Sequence, residues 1–321
     1  MKLPHVVEPM LAVPGDPFDS ASHIFEPKWD GIRCIVHKDD ATSRRVRLQS
    51  RNLRDISAQF PELTRLTYWS DPGPWILDGE IVCLDDSGRP SFDHVRDRLL
   101  LKSERNIRLA QKHNPAVFVI FDVLFHRGQS VMTAPLAERK KIIQDAFRAE
   151  PGVLVSPWVV ERGLTYFAHL AEQHWEGMVA KDVNSPYTPG KRSLHWIKVR
   201  RTQHERFYIV GWVPRGKNDI SSLALAQPTG EAVSDVSRYK YVGHVGTGLR
   251  TNEREFLAAF LRPDPSMAER LENLPTGREI KTTIWTRPIL QCEVEFLMWT
   301  RSGLLRHPVF RRLLPPTADH R

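Results

Sequence analysis

A chain of 321 residues with 46 lysines and arginines against 38 aspartates and glutamates carries a net charge of +8, and it is long enough to bury one large or two modest cores without covalent staples. The three cysteines, Cys34, Cys83 and Cys292, have neither zinc-site spacing nor a paired framework, which argues against a stapled secreted scaffold and for a reducing compartment. No apolar run approaches a membrane span and Met1 to Phe18 lacks a secretory signal, so the expectation is a soluble cytoplasmic protein whose basic balance suits a polyanionic partner and not a membrane.

Read in chain order, short β-rich runs alternate with amphipathic helices over the first two-thirds. "HIFEPKWDGIRCIVHK" and "RVRLQS" have strand character, followed by "FPELTRLTYW" with helical spacing. "WILDGEIVCL" reads as a strand, "SFDHVRDRLLL" as a helix and "AVFVIFDVLF" as a buried strand. "PLAERKKIIQDAFRAE" then reads as a helix with Pro135 at its start, "GVLVSPWVV" as a strand and "TYFAHLAEQHW" as a helix. The strands "EGMVAKDV" and "LHWIKVR" close this part. Past Arg201 the pattern turns to strands, "RFYIVGWVPR", "SSLALAQP", "YKYVGHVG" and "PILQCEVEFLMWT", with one helix near "NEREFLAAFL". The fold class is therefore α+β: a mixed domain over residues 1–203 and a small β-barrel over 204–321, with a short hinge near Thr202 to Glu205.

The stretch "EPKWDGIR" sets Lys28 among Asp30, Gly31 and Arg33. A lysine amine attacks only when unprotonated, and at an ordinary pKa of about 10.4 only roughly one in a few thousand is neutral at pH 7. A pocket wall, a cation such as Arg33 or a bound metal would favour the neutral amine, and Asp30 would oppose it. The octapeptide alone also suits a solvated strand lysine. Glu80, inside the apolar strand "LDGEIV", and Glu176, opening "EGMVAK", each need a partner, either a buried arginine or a hard cation such as Mg²⁺. In "WIKVR", Lys198 and Arg200 alternate with Ile197 and Val199, so both cations share one strand face, able to hold phosphate oxygens or simply to face water.

Taken in order, "KWDGIR", "LQSRN", "LDGEIV", "FVIFDVLF", "EGMVAK" and "WIKVR" resemble the covalent nucleotidyltransferases, and within them the ATP-dependent DNA ligases. The nearer likeness is to the ligase domain of bacterial non-homologous end-joining ligases, a likeness that "FPEL", "APLAERKK", "YVGHVGTGL" and "VEFLMWTRSGLLRHPVF" extend over nearly the whole chain. The resemblance implies an adenylating nucleotidyltransferase domain followed by an OB-fold barrel. It implies ATP and Mg²⁺ or Mn²⁺ as cofactors, and Lys28 as the nucleophile that takes AMP from ATP, passes it to a 5′-phosphate and leaves a neighbouring 3′-hydroxyl to seal the break. It places Arg33 and Glu80 at ribose and phosphate, Phe121 under the adenine, Glu26 beside its edge and Arg51 at a phosphate. Glu176, with Glu80, would hold the metal, and Lys198 the α-phosphate. Arg200 stands where many relatives have a second lysine, a planar fork in place of a point charge. Relatives also carry an arginine and then an aspartate-lysine pair after "HPxF"; here the arginine position falls on Leu314, so the expectation is slow self-adenylation unless Arg311 or Arg312 substitutes.

Nothing in the sequence reads bases, so the expected partner is nicked or broken duplex DNA, gripped by scattered cations and by a barrel whose "YVGHVGTGL" glycines let amides approach phosphates. Lys28 comes so early that no further N-terminal DNA-binding domain is expected, which makes a minimal, monomeric, nucleoid-associated ligase delivered by end-joining or repair partners. The competing readings are an RNA ligase, a capping guanylyltransferase, or a nick-binding protein that has lost self-adenylation.

Overall fold

The computed structural model describes residues 3–39, 46–65, 73–147, 151–216, 218–229 and 238–314. The chain divides into two compact units, Met1–Arg201 and Thr202–Arg321.

The first unit is built on two sheets. One has the order β1 (Leu11–Pro14), β11 (Arg192–Arg200), β10 (Gly177–Asp182), β2 (Ser20–Pro27), β9 (Val159–Glu161). The other runs β4 (Arg47–Ser50), β3 (Ile32–Lys38), β5 (Trp75–Cys83), β6 (Ala116–His126), β7 (Gln129–Ser130), with β8 (Val153–Val155) parallel to β6. The stretch read as one strand from His23 to Lys38 is thus two strands in different sheets, and Lys28 lies in the crossing between them. Likewise "GVLVSPWVV" divides at Ser156 and Pro157 into β8 and β9, where proline has no N–H to give a ladder.

Strand alternation gives each sheet one packed face and one face with polar groups. In the first sheet Phe25, Met178, Ala180 and Val199 pack with Leu170 of α4 (Gly163–Glu172). The alternate positions Glu26, Lys181, Lys198 and Arg200 belong to the opposite face. In the second, Cys34, Leu77, Ile81, Phe118 and Ile120 form the main core with Val95 of α1 (Phe92–Leu99) and Ile143 of α3 (Leu136–Ala146). That leaves Arg33, Asp78, Glu80 and Phe121 on the other side. Met10, Ile35, Ile76, Phe121, Tyr187 and Trp196 join the two sheets in a third cluster. A helix not expected from the sequence, α2 (Glu104–His113), buries only Ile107. The described part of "FPELTRLTYW" holds a single 3₁₀ turn, Leu63–Arg65, in place of the expected helix.

The second unit is a six-stranded sheet in the order β15 (Leu271–Glu272), β14 (Tyr239–Val245), β13 (Ile220–Pro228), β12 (Gln203–Pro214), β16 (Ile284–Phe296), β19 (Val309–Leu314). A two-stranded ribbon, β17 (Met298–Trp299) with β18 (Leu305–Arg306), stands beside it. The sheet curls until Phe310 N donates to Thr247 O at 2.8 Å, bringing its last strand to the loop beyond β14. Phe207, Leu225, Val242, Val294 and Phe310 fill the interior, and Leu257 of α5 (Thr251–Phe260) plugs it. A short α6 (Arg278–Thr282) leads into β16. Gly246 and Gly248 are spent on this packing, since a Cβ would come within 2.7 Å of Ser221 O and 2.2 Å of Phe310 O respectively, which gives these glycines a reason other than the expected approach to phosphate. Of the residues expected in the hinge, Gln203 to Glu205 lie within β12. No helix among the described residues is long and apolar enough to cross a membrane.

Candidate active site

Lys28 is held where the chain leaves one sheet for the other. Its backbone N–H donates to Gly177 O at 2.9 Å, and its ammonium forms an ion pair with Glu176. The Glu176 side chain is only 4% exposed and also lies 3.7 Å from the Arg200 guanidinium. Gly177 has φ +144°, and a Cβ there would sit 2.0 Å from Val199 O, so only glycine lets β10 start directly after Glu176. The dipeptide Glu176-Gly177 is therefore a positioning device for the carboxylate as much as a source of it.

Around this pair the other expected phosphate ligands gather. Lys198 and Arg200 stand opposite Val179 and Gly177 in the β10–β11 ladder. Burial, aided by the charges of Arg200, Arg192, Lys28 and Arg51, lowers the Lys198 pKa, so Arg51, exposed in the turn after β4, belongs to the same positive field. Glu80 faces Arg33 across the β3–β5 ladder. Burial pushes its carboxyl up to about 8, with Glu176 and Asp78 adding to the rise and Arg33 and Lys28 opposing it.

The other end of the face is aromatic and differs in detail from expectation. Arg33, expected at ribose and phosphate, is clamped by Asp78 at 2.5 Å through both Nε and Nη2, and donates to Met10 O at 3.2 Å. Asp78 is wholly buried and also accepts from the Tyr187 hydroxyl at 2.7 Å. Phe121, expected under the adenine, is 7% exposed, with Arg33 Cζ 4.6 Å and Lys181 Nζ 4.2 Å from its ring centre, so the ring already carries two cations. Glu26 is buried between Lys140 and Lys181.

Lys28, Glu80, Glu176, Lys198, Arg200 and Arg51 thus share one electrostatic environment, and Glu26, Phe121 and Arg33 line the stretch toward Lys181. Gly177 and Lys181 are four residues apart on β10, or ~13 Å. Sequence reasoning passed over Asp78, Lys181, Trp196 and Lys140. All four lie inside quoted stretches, and the period of two places Lys181 on the face of Val179; Lys140, in "APLAERKK", has no such positional signal.

Among the described residues no group of three or more His, Cys, Asp and Glu could enclose a metal by itself. Glu80 and Glu176 nonetheless suit Mg²⁺, which takes one or two carboxylates and completes its shell with water and substrate phosphates. Glu80 makes no ion pair among the described residues, so its oxygens are not committed to a cation of the chain.

Two sheets with a lysine in their crossing, and a separate curled β unit, make up a nucleotidyltransferase of the ligase type. A family model described as the ATP dependent DNA ligase domain matches residues 9–200, and one described as the ATP dependent DNA ligase C terminal region matches residues 216–315. The chain belongs to the ATP-dependent DNA ligase family. It is 31% identical over 319 residues to the multifunctional non-homologous end joining protein LigD of Mycolicibacterium smegmatis, covering 97% of this chain but 39% of that one. It is 35% identical over 299 residues to the SPbeta prophage-derived DNA ligase-like protein LigB of Bacillus subtilis, covering 92% of this chain and 94% of that one. A mycobacterial DNA ligase D solved with ATP and MES aligns over 96% of this chain and 95% of that one, at 29% identity and a TM-score of 0.55.

Proposed function

We propose that this chain seals breaks between a 3′-hydroxyl and a 5′-phosphate in duplex DNA through a lysyl-AMP intermediate, with residues 1–203 as adenylation domain and 204–321 as OB-fold domain. The observation that supports it best is the convergence of Glu176 and Arg200, by contact, and of Glu80 and Lys198, by charge, on Lys28 at the crossing between the sheets. The neutral Lys28 amine attacks the α-phosphorus of ATP, forming an N–P bond, releasing a proton and expelling pyrophosphate. The 5′-phosphate of the break then takes the AMP, and the 3′-hydroxyl displaces it. Lys198 and Arg200 counter the charge on the phosphate oxygens and keep the attack in line. A bound Mg²⁺, held by Glu176 and Glu80, would add positive charge to the same oxygens. Before ATP arrives, Glu176 holds the Lys28 ammonium and Arg200 together, and its transfer to a metal would free the amine. DNA binding through cations and backbone, without base reading, would weaken as salt rises.

The tail bears on the first step. Arg311 donates to Glu295 and Arg312 to Glu293 across the β16–β19 ladder, so neither expected substitute is idle. Leu314 ends β19 opposite Gln291, and residues 315–321 lie outside the described residues. Self-adenylation slower than the sealing of pre-adenylated nicks follows from this reading. Mass spectrometry of the protein with and without ATP and Mg²⁺ tests the proposal: AMP on Lys28, lost in Lys28→Ala, is expected, and undiminished ATP-driven sealing by Lys28→Ala would overturn it.

A further inference from the structure

The aromatic end of the site holds a buried ion cluster that the three chemical steps do not use. Lys181 Nζ lies 3.0 Å from Glu26 Oε2 and Lys140 Nζ 2.5 Å from Oε1, and all three residues are at most 3% exposed. The Lys181 contact is an aligned hydrogen bond. The Lys140 contact is an ion pair alone, which leaves Glu26 Oε1 and Lys140 Nζ as buried polar atoms with no hydrogen bond. On one side the cluster meets Phe121 and Trp196, each 4.2 Å from Lys181 Nζ. On the other, Lys140 Nζ lies 4.7 Å from the Trp158 ring.

As a purely structural device this cluster is poorly balanced. Two ammonium groups flank one carboxylate away from water, and burial together with Lys140 draws the Lys181 pKa down to about 8. An acceptor oxygen with a free lone pair is left beside an aromatic wall. A ligand that brings an N–H to that oxygen would satisfy it.

We propose that Lys140 is a specificity-determining residue of the nucleotide site: with Lys181 it clamps the Glu26 carboxylate so that the free Oε1 meets the exocyclic amine of an adenine base. Lys181 alone would hold one oxygen and leave the carboxylate free to turn. The second cation fixes its plane. The helix that supplies Lys140 is itself pinned, because neighbouring Arg139 donates to both oxygens of buried Asp122, at 2.7 and 3.0 Å, and to the carbonyls of Ala134 and Ser185. A 6-oxo purine would turn a lone pair toward the carboxylate and be disfavoured, and a purine without a 6-substituent would leave Oε1 unfilled. Lys140 acts here through Glu26, as a positioning residue, and the inference rests on the reading of the site as an ATP site.

The test is equilibrium binding of ATP and of purine riboside triphosphate to the full chain carrying Lys28→Ala, in which no covalent adduct forms, measured by calorimetry. A hydrogen bond to a charged acceptor should favour ATP by about 10-fold or more in this background. Adding Lys140→Met should collapse the preference to within about 2-fold, and Lys140→Arg should restore most of it. Should Lys140→Met fail to fold, as judged by its thermal melt, Lys140→Gln, neutral and of similar reach, replaces it in the comparison. A preference that survives loss of the Lys140 charge, equal weakening of both nucleotides, or a background without preference would each overturn the proposal. Failure of the function itself would show separately, as absence of AMP on Lys28 in the wild-type protein.

Discussion

His37 offers a quantitative test of how the site's supporting sheet is held. It is 1% exposed on β3, with Nε2 3.1 Å from Gln49 Oε1. That oxygen also accepts from Val7 N at 3.1 Å, and Gln49 Nε2 donates to Val7 O at 2.7 Å, tying the N-terminal segment to β3 and β4. Gln49 Oε1 can only accept, so the proton sits on Nε2, and Nδ1 is buried with no hydrogen-bond partner. Burial first, then the Arg47 charge, lower the pKa from 6.5 to about 4. Below pH 6.5 the unfolded chain binds a proton that the folded chain refuses, so stability is full above 6.5 and falls until pH 4. The loss is on the order of 3 kcal/mol at the acid end, most of it already present at pH 4.5. Urea unfolding of wild type and His37→Gln between pH 7.5 and 4.5 should show the wild type losing about 2–3 kcal/mol more than the variant. Parallel pH profiles, or a His37 ring resonance that titrates near its ordinary pKa, would refute the argument.

Two further perturbations probe the crossing and the tail. Gly31 sits so close to β5 that a Cβ would come within 2.2 Å of Ile81 O and 3.0 Å of Glu80 Cγ. Gly31→Ala should cost about 1–3 kcal/mol of stability by thermal melt and, by shifting Lys28 against Glu80, slow AMP transfer to the protein by ~10-fold or more; a wild-type rate and melting temperature would contradict this. Alanine at both Arg311 and Arg312 should leave single-turnover self-adenylation within about 2-fold of wild type, since these exposed pairs serve the β16–β19 ladder. A loss of about 10-fold or more would instead identify them as stand-ins for the arginine absent at Leu314.

Where one face of a strand is packed and the other is polar, the sequence was a good guide. "LDGEIV" and "WIKVR" place their polar residues at alternate positions, as β5 and β11 require, and the polar set emerges on the site side. Alternation does not say where a strand ends. It runs past the end of β2 as far as Asp30 and changes phase only at Gly31, so the three-dimensional crossing is what reveals that Lys28 lies between sheets. α2 escaped notice because its ten residues are mostly charged or polar and bury a single isoleucine, so its amphipathic period is carried by polar residues and not by an apolar stripe. The cations resting on Phe121 come from β3 and β10 and could not be foreseen from its own strand. Lys140 is the extreme case: in "LAERKK" it looks like any solvated helix lysine, and its burial depends on Glu26, more than a hundred residues earlier.

The crossing at Lys28 has a mechanical meaning as well. Pro27 and Ile32 are already paired into separate ladders, so the main chain beneath the Lys28 amine is tethered at both ends and has almost no slack. Sliding or spreading one sheet against the other must therefore twist this short tie and re-aim the amine. Relative motion of the two sheets and the aim of the Lys28 amine are then a single degree of freedom.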